Sequence, residues 1–219
     1  MKDHQVKCAA IFDMDGVMVD NAAAHHKAWS FFCQQHHRPL KKGDWDRIVG
    51  HTNEKILHTL FGPTISLDQV KQYTQEKEAL YRNIYRTTFK PIRGLNAFLR
   101  FLEKQNVRLA IASSAPMVNI RFVLRHPKIH ARQIRTIVTA EDVRYAKPHP
   151  AMYQTAARRL GVRPQECVVF EDSLIGIESA QRAGMMVVAL STTYPRHKLR
   201  HADMIVDNFT DKRLHRLFE

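Results

Sequence analysis

The sequence predicts an α/β protein, a mostly parallel sheet with a helical segment inserted after its first strand. Three observations lead there. Short apolar runs suited to buried strands recur along the chain, amphipathic stretches with helical spacing separate most of them, and the segment from Asp20 to Lys90 holds no convincing strand. At 219 residues the chain is long enough for one core carrying a sizeable insertion. With 44% hydrophobic and 25% charged residues and only 8 Gly and 9 Pro, it excludes a disordered tail or a collagen-like fibre.

The first strand is Cys8 to Phe12. Its apolar run meets Asp13 and Asp15 before a signal-peptide core is complete, so no leader is expected. The insertion follows, with hinges expected near residues 17 to 20 and 87 to 91. Trp29, Phe32 and Cys33 suit one helix face, Ile56, Leu57 and Leu60 a second, and Val70, Tyr73, Leu80, Tyr81 and Ile84 a third. Gly62-Pro63 breaks the insertion internally, and Pro91 with Gly94 returns the chain to the α/β layer. The expected division is residues 1–17 with 91–219 as the core and 18–90 as the helical domain. In the core, Leu95, Phe98, Leu99 and Leu102 form a helix stripe before a strand at Arg108 to Ala112. A strand at Ile134 to Val138 precedes the helix of Met152, Ala156 and Leu160. Cys167 to Phe170, the helix of Ile177, Ala180 and Ala183, Met185 to Leu190 and a weaker Met204 to Val206 complete the alternation. The longest of these runs is too short to cross a bilayer.

The cysteines, Cys8, Cys33 and Cys167, form no C-x-x-C pair for zinc or redox chemistry. A reduced, cytoplasmic protein is expected, with Cys8 and Cys167 as small buried hydrophobes.

The chemistry-bearing residues gather at predicted strand ends, where open α/β sheets bind ligands. Asp13 and Asp15, two apart before Gly16, present two carboxylates to one bound group, and such acids at an apolar strand's end need a cation, for which Mg²⁺ is the oxygen-seeking candidate. Ser113-Ser114 ends the next strand, and a hydroxyl with the amides after it makes an anion-binding corner, although an ordinary helix cap reads the same. Lys147 is set in a frame by Pro148 and Pro150. Glu171-Asp172-Ser173 repeats the pattern of acids at a strand's end and is able to complete a Mg²⁺ shell.

Taken in order, strand-DMDGV, strand-SS, K-P-x-P and strand-EDS-x-x-G-I-x-x-A-x-x-A-G-M resemble the haloacid dehalogenase-like superfamily of aspartate-dependent phosphohydrolases and phosphomutases. The inserted helices resemble its branch with a helical cap, that of β-phosphoglucomutase and sugar phosphatases. The resemblance implies a Rossmann-like core and a small phosphorylated metabolite as substrate. It implies Asp13 as nucleophile, Asp15 as acid and base, and Ser113 and Lys147 as ligands of the phosphoryl group. Mg²⁺ would be held by Asp13, the Asp15 carbonyl and Asp172, with Glu171 as an additional ligand or orienter. Carbon–halogen cleavage is disfavoured, because it has no leaving oxygen for Asp15 to protonate.

By the same resemblance His25 and Lys77 stand where the cap contacts substrate or the acid/base residue, with Ser114 and Asn53 as further substrate-binding positions. Two positions depart from the pattern. Asn53 replaces an arginine that grips a second phosphate, which favours hydrolysis over mutase turnover, and Asn21 replaces a hinge Thr or Ser. The mutase remains the alternative. The net charge of +13 carries a third reading, a polyanion-binding protein using Arg121 to Arg135 and Arg196 to His201, but no nucleic-acid motif accompanies the charge. A monomer or weak dimer without a membrane segment is expected.

Overall fold

A computed structural model describes residues 7–219. The chain divides into two compact units, one holding the residues up to Asp20 and Pro91–Glu219, the other Asn21–Lys90.

The larger unit is a six-stranded sheet in which every pairing is parallel. Its strands are β1 (Ala9–Phe12), β2 (Arg108–Ser113), β3 (Thr136–Thr139), β4 (Cys167–Glu171), β5 (Met186–Leu190) and β6 (Met204–Val206), in the order β3-β2-β1-β4-β5-β6. The order reverses at β1, so the ends of β1, β2 and β4 border the crevice where such sheets bind ligands. The third strand begins at Thr136, later than the expected Ile134, because Ile134 N–H donates to the Ala131 carbonyl in a turn.

Side-chain alternation gives each sheet face its partner. Ala9 and Ile11, Ala110 and Ala112, and Cys167 and Val169 share one buried cluster with Met152, Tyr153 and Ala156 of α7 (Ala151–Leu160) and Ile177 and Ala180 of α8 (Leu174–Arg182). Phe12 and Phe170 stack at 4.8 Å on the opposite face, where Phe98 of α5 (Leu95–Lys104) and Phe209 meet them. A shorter helix, α6 (Met117–Leu124), follows β2.

The smaller unit contains only helices: α1 (Ala22–Gln35), α2 (Asp44–Ile48), α3 (Asn53–Phe61) and α4 (Leu67–Thr88). Trp29, Phe32 and Cys33 pack with Ile56, Leu57, Leu60 and Val70 as their spacing predicts. Ser66 caps α4 with a reciprocal Gln69 box.

Residues 18 to 20, expected in the helical segment, belong with the larger unit. Met18 and Val19 are fully buried, and Val19 bridges both Asp15 and Pro91. Cys167 is buried as expected, but Cys8 is exposed, because the strand starts one residue later at Ala9.

Candidate active site

Asp13 follows the last residue of β1, and its N–H donates to the Phe170 carbonyl of β4, which ties the first acidic turn to the second. Gly16 then turns the chain with φ of +74°, a conformation costly for other residues. A Cβ there would lie 2.0 Å from Asp172 Oδ2, so the glycine also makes room for that carboxylate. The hydroxyl of Thr193 donates to the same Asp172 oxygen, and Thr192 Oγ1 donates to the Gly16 carbonyl at 2.6 Å.

Lys147 links the two turns. Its ammonium donates to Asp13 Oδ1 at 2.7 Å, Glu171 Oε1 at 2.7 Å and the Ala112 carbonyl at 3.2 Å, and it lies 4.8 Å from the Tyr153 ring centre. Burial opposes its charge, but Asp13 and Glu171 hold its pKa well above the ordinary lysine value. The ammonium is therefore fixed and charged.

For Glu171 the sequence left two roles open, additional metal ligand or orienter, and its contacts bear on the choice. Alternation along β4 places it on the same face as Cys167 and Val169, beneath the helices. There Oε1 accepts from Lys147 and from Tyr153 Oη at 2.8 Å, while Oε2 accepts the amides of Asp172 and Ser173 and the Ser173 hydroxyl, each at 2.9 Å. Both oxygens are engaged inside the protein, and Oε1 holds the Lys147 ammonium, an arrangement that matches the orienter alternative. Burial opposes its ionisation, yet the Lys147 charge and these hydrogen bonds hold the carboxyl below its usual range.

The remaining acids are under-compensated. Asp13 is pushed up to about 7, by burial first and then by the charges of Glu171 and Asp15, with Lys147 pulling the other way. Burial, followed by Glu171 and Asp13, raises Asp172 well above the carboxylate range. Among the described residues no three His, Cys, Asp or Glu side chains form a preassembled metal cluster. Mg²⁺ does not require one, since it is bound through one or two carboxylates and keeps several waters. Two buried carboxylates resisting ionisation in a shared negative field fit such a cation.

Ser113 is buried at the end of β2, and its Oγ accepts the Ala115 amide at 3.2 Å. The ordinary helix-cap alternative does not hold here, because α6 begins after Pro116. Ser114 is half-buried.

In the helical unit, sequence-predicted residues meet in a separate polar cluster. Lys77 is 1% exposed, and its ammonium reaches Glu78 Oε1 at 2.8 Å and His25 Nδ1 at 3.0 Å while lying 4.9 Å from the Trp29 ring centre. Asn53 Nδ2 donates to the same Glu78 oxygen at 2.7 Å, and Asn21 Nδ2 donates to Tyr81 Oη, whose ring stacks on His25. Glu78, Tyr153 and Thr193 were not singled out from the sequence. Only Glu78 carried a signal, its place beside Lys77 on one turn of helix.

A family model for haloacid dehalogenase-like hydrolases matches residues 10–190. The chain belongs to the haloacid dehalogenase-like hydrolase family. It is 28% identical over 207 residues to validoxylamine A 7'-phosphate phosphatase of Streptomyces hygroscopicus subsp. limoneus, covering 93% of this chain and 95% of that one. It is 29% identical to β-phosphoglucomutase of Bacillus subtilis strain 168, covering 96% and 94%. Among solved structures, a family IA, variant 3 hydrolase from Entamoeba histolytica superposes with a TM-score of 0.85 at 25% identity, covering 96% and 97% of the two chains. This haloacid dehalogenase-like chain is an enzyme with the parallel core of its family. No helix among the described residues is long and apolar enough to cross a membrane.

Proposed function

We propose that this enzyme is a Mg²⁺-dependent phosphatase that hydrolyses a small phosphate ester, with sugar phosphates as the first substrate class, through an aspartyl-phosphate on Asp13. The observation that carries this reading is the buried lysine clamped between Asp13 and Glu171, with a second acid, Asp15, in the same turn as the first. The names of the phosphatase and mutase relatives support the choice of phosphate.

In this reading the Lys147 hydrogen bond to Oδ1 orients the Asp13 carboxylate, leaving Oδ2 to attack phosphorus. The phosphorus–oxygen ester bond breaks, and Asp15 gives its proton to the departing alkoxide. Asp15 then removes a proton from water as that water attacks phosphorus, releasing inorganic phosphate and restoring Asp13. The Ser113 hydroxyl binds a phosphoryl oxygen, and the Lys147 charge, fixed by its bonds to Asp13, Glu171 and the Ala112 carbonyl, favours the charge that develops there. Asp13, the Asp15 carbonyl and Asp172 would hold Mg²⁺, which when bound would supply positive charge where two anions must approach.

Hydrolysis is favoured over mutase turnover by the helical unit's own chemistry. Asn53 brings no guanidinium and donates to Glu78, while Lys77, the buried cation beside it, is already paired with that same carboxylate. A second phosphate would find no uncommitted positive charge in this cluster. The cluster suits a neutral, hydroxyl-bearing group.

The test is phosphate release with Mg²⁺ from a panel of hexose, hexitol and pentose phosphates, pyrophosphate and β-glucose 1-phosphate, with glucose 6-phosphate scored in parallel. Release from at least one ester, lost by a factor of 10³ or more in Asp13→Asn, is expected. Glucose 6-phosphate accumulating with little free phosphate identifies a mutase, and turnover unaffected by Asp13→Asn rules out the proposed nucleophile.

A further inference from the structure

Away from the acidic centre, a groove of about 690 Å³ runs along α8, between that helix and the segment 196–201. None of Asp13, Asp15, Ser113, Lys147 or Asp172 lines it. Its apolar side is formed by Leu174, which is 40% exposed; Ile177, one turn further on, belongs to the core cluster and is 3% exposed. The opposite side presents His197, Lys198, Arg200 and His201, all exposed.

The basic wall is held in place. Leu199, between Lys198 and Arg200, is fully buried in the core cluster, and Gln181 on α8 donates to the His201 carbonyl, tying the two walls together. A short 3₁₀ turn, Arg196–Lys198, leads into it. The backbone carrying the cations is therefore ordered before any ligand arrives, which lowers the entropic cost of binding.

The charge of this wall is not neutralised by acids, although the Lys198 ammonium lies 5.7 Å from the Tyr194 ring centre. Among the described residues neither Lys198 nor Arg200 has a carboxylate partner, whereas neighbouring Arg196 is paired with Asp207 at 2.7 Å. The one acid lining the groove, Glu178, is paired with Arg182 at 2.6 Å. A ligand thus meets net positive charge beside an apolar surface.

We propose that this groove is a second ligand site of the enzyme and takes a nucleoside diphosphate. Lys198 and Arg200 stand two residues apart with their common neighbour buried, a spacing that serves adjacent phosphoryl groups, and the guanidinium is able to grip one of them bidentately. Leu174 offers an apolar contact for a base, and the imidazoles of His197 and His201 offer flat partners for it. Inorganic phosphate alone would leave the apolar side bare. The volume is within the range of sites that enclose a ligand of this size. The inference is independent of which ester the acidic centre hydrolyses.

The experiment is calorimetric titration of the full chain, without Mg²⁺, with ADP, adenosine and pyrophosphate, at low and at physiological salt. Wild type is expected to bind one ADP more tightly than either fragment. The double variant Lys198→Ala/Arg200→Ala is expected to bind at least tenfold more weakly, with circular dichroism confirming its fold, while Asp13→Asn keeps the site. Pyrophosphate binding as tightly as ADP reduces the groove to a simple anion patch and overturns the nucleotide assignment. Loss of ADP binding in Asp13→Asn relocates it to the acidic centre, and an unchanged double variant or no heat with ADP removes the site. A single-stranded oligonucleotide that displaces ADP with a steep salt dependence assigns the groove to a polyanion instead.

Discussion

Glu171 and Asp172 share the end of β4, but Lys147 reaches only the first, so burial has opposite outcomes at adjacent carboxylates. Removing the Glu171 charge breaks a buried ion pair and leaves Lys147 dependent on Asp13. Glu171→Gln should cost about 3 kcal/mol of stability, read as a lower denaturant midpoint, together with a loss of turnover. Asp172→Asn should do the reverse for stability. It removes a charge that burial opposes while keeping an acceptor for Thr193, so the metal-free variant should melt above wild type at pH 8 and still lose Mg²⁺-dependent phosphate release. A variant melting below wild type counts against this account. The sequence made Asp13, Asp15 and Lys147 legible, because acids at an apolar strand's end and a lysine between prolines are costly patterns without a use. Of the two roles the sequence left open for Glu171, ligand or orienter, strand alternation already favours the second, because it points the side chain beneath the helices. Tyr153 and Thr193 were illegible for a different reason: each acts through one polar tip, whose meaning depends on a partner that only the tertiary fold supplies.

At the level of elements, α8 packs over the second acidic turn because of Gly176. A Cβ at that position would meet Glu171 Oε1 at 1.7 Å, far inside contact distance. Helix propensity alone says that alanine there would stabilise by about 1 kcal/mol. Gly176→Ala is expected to destabilise instead and to depress kcat, because the Glu171 carboxylate must leave Lys147; a higher melting temperature with normal kcat would contradict this. In the helical unit, Lys77→Met removes the ammonium from Glu78, which is 3% exposed and still accepts from Asn53, and should lower the denaturant midpoint. Restoring much of that loss with Glu78→Gln in the same chain would identify the lost Lys77–Glu78 charge pair as its cause. Element type was readable for the strands and the longer helices, whose apolar periods differ clearly, whereas no such period announced α2 or α6. Boundaries were less so: Cys8 and Ile134 continue an apolar run in the sequence, yet β1 begins only at Ala9, although Cys8 still bonds to Glu166 and Arg108, and the Ile134 N–H is used in a turn before β3.

At the level of the whole molecule, the buried acids give stability a pH dependence whose sign can be stated. Asp13 titrates near 7 in the folded chain and near 3.8 in an unstructured one, so between those values the folded state holds a proton that the unfolded state lacks. Metal-free stability from this group therefore rises as pH is lowered through about 7. Mg²⁺ requires the ionised carboxylates, so its gain in melting temperature should be largest above pH 7 and shrink below it. The difference between wild type and Asp13→Asn in a melting series from pH 5.5 to 8.5, with and without Mg²⁺, isolates the effect from the many histidines. The parallel sheet carries one more consequence, in the order of events during synthesis. Its central strand is made first, but Ala9 pairs with Arg108 on one side and Cys167 on the other, so β1 must wait for both neighbours. A nascent chain stopped before Cys167 has Asp13 without the Glu171 that holds Lys147, so the cluster of Asp13, Lys147 and Glu171 is assembled only after β4 has left the ribosome.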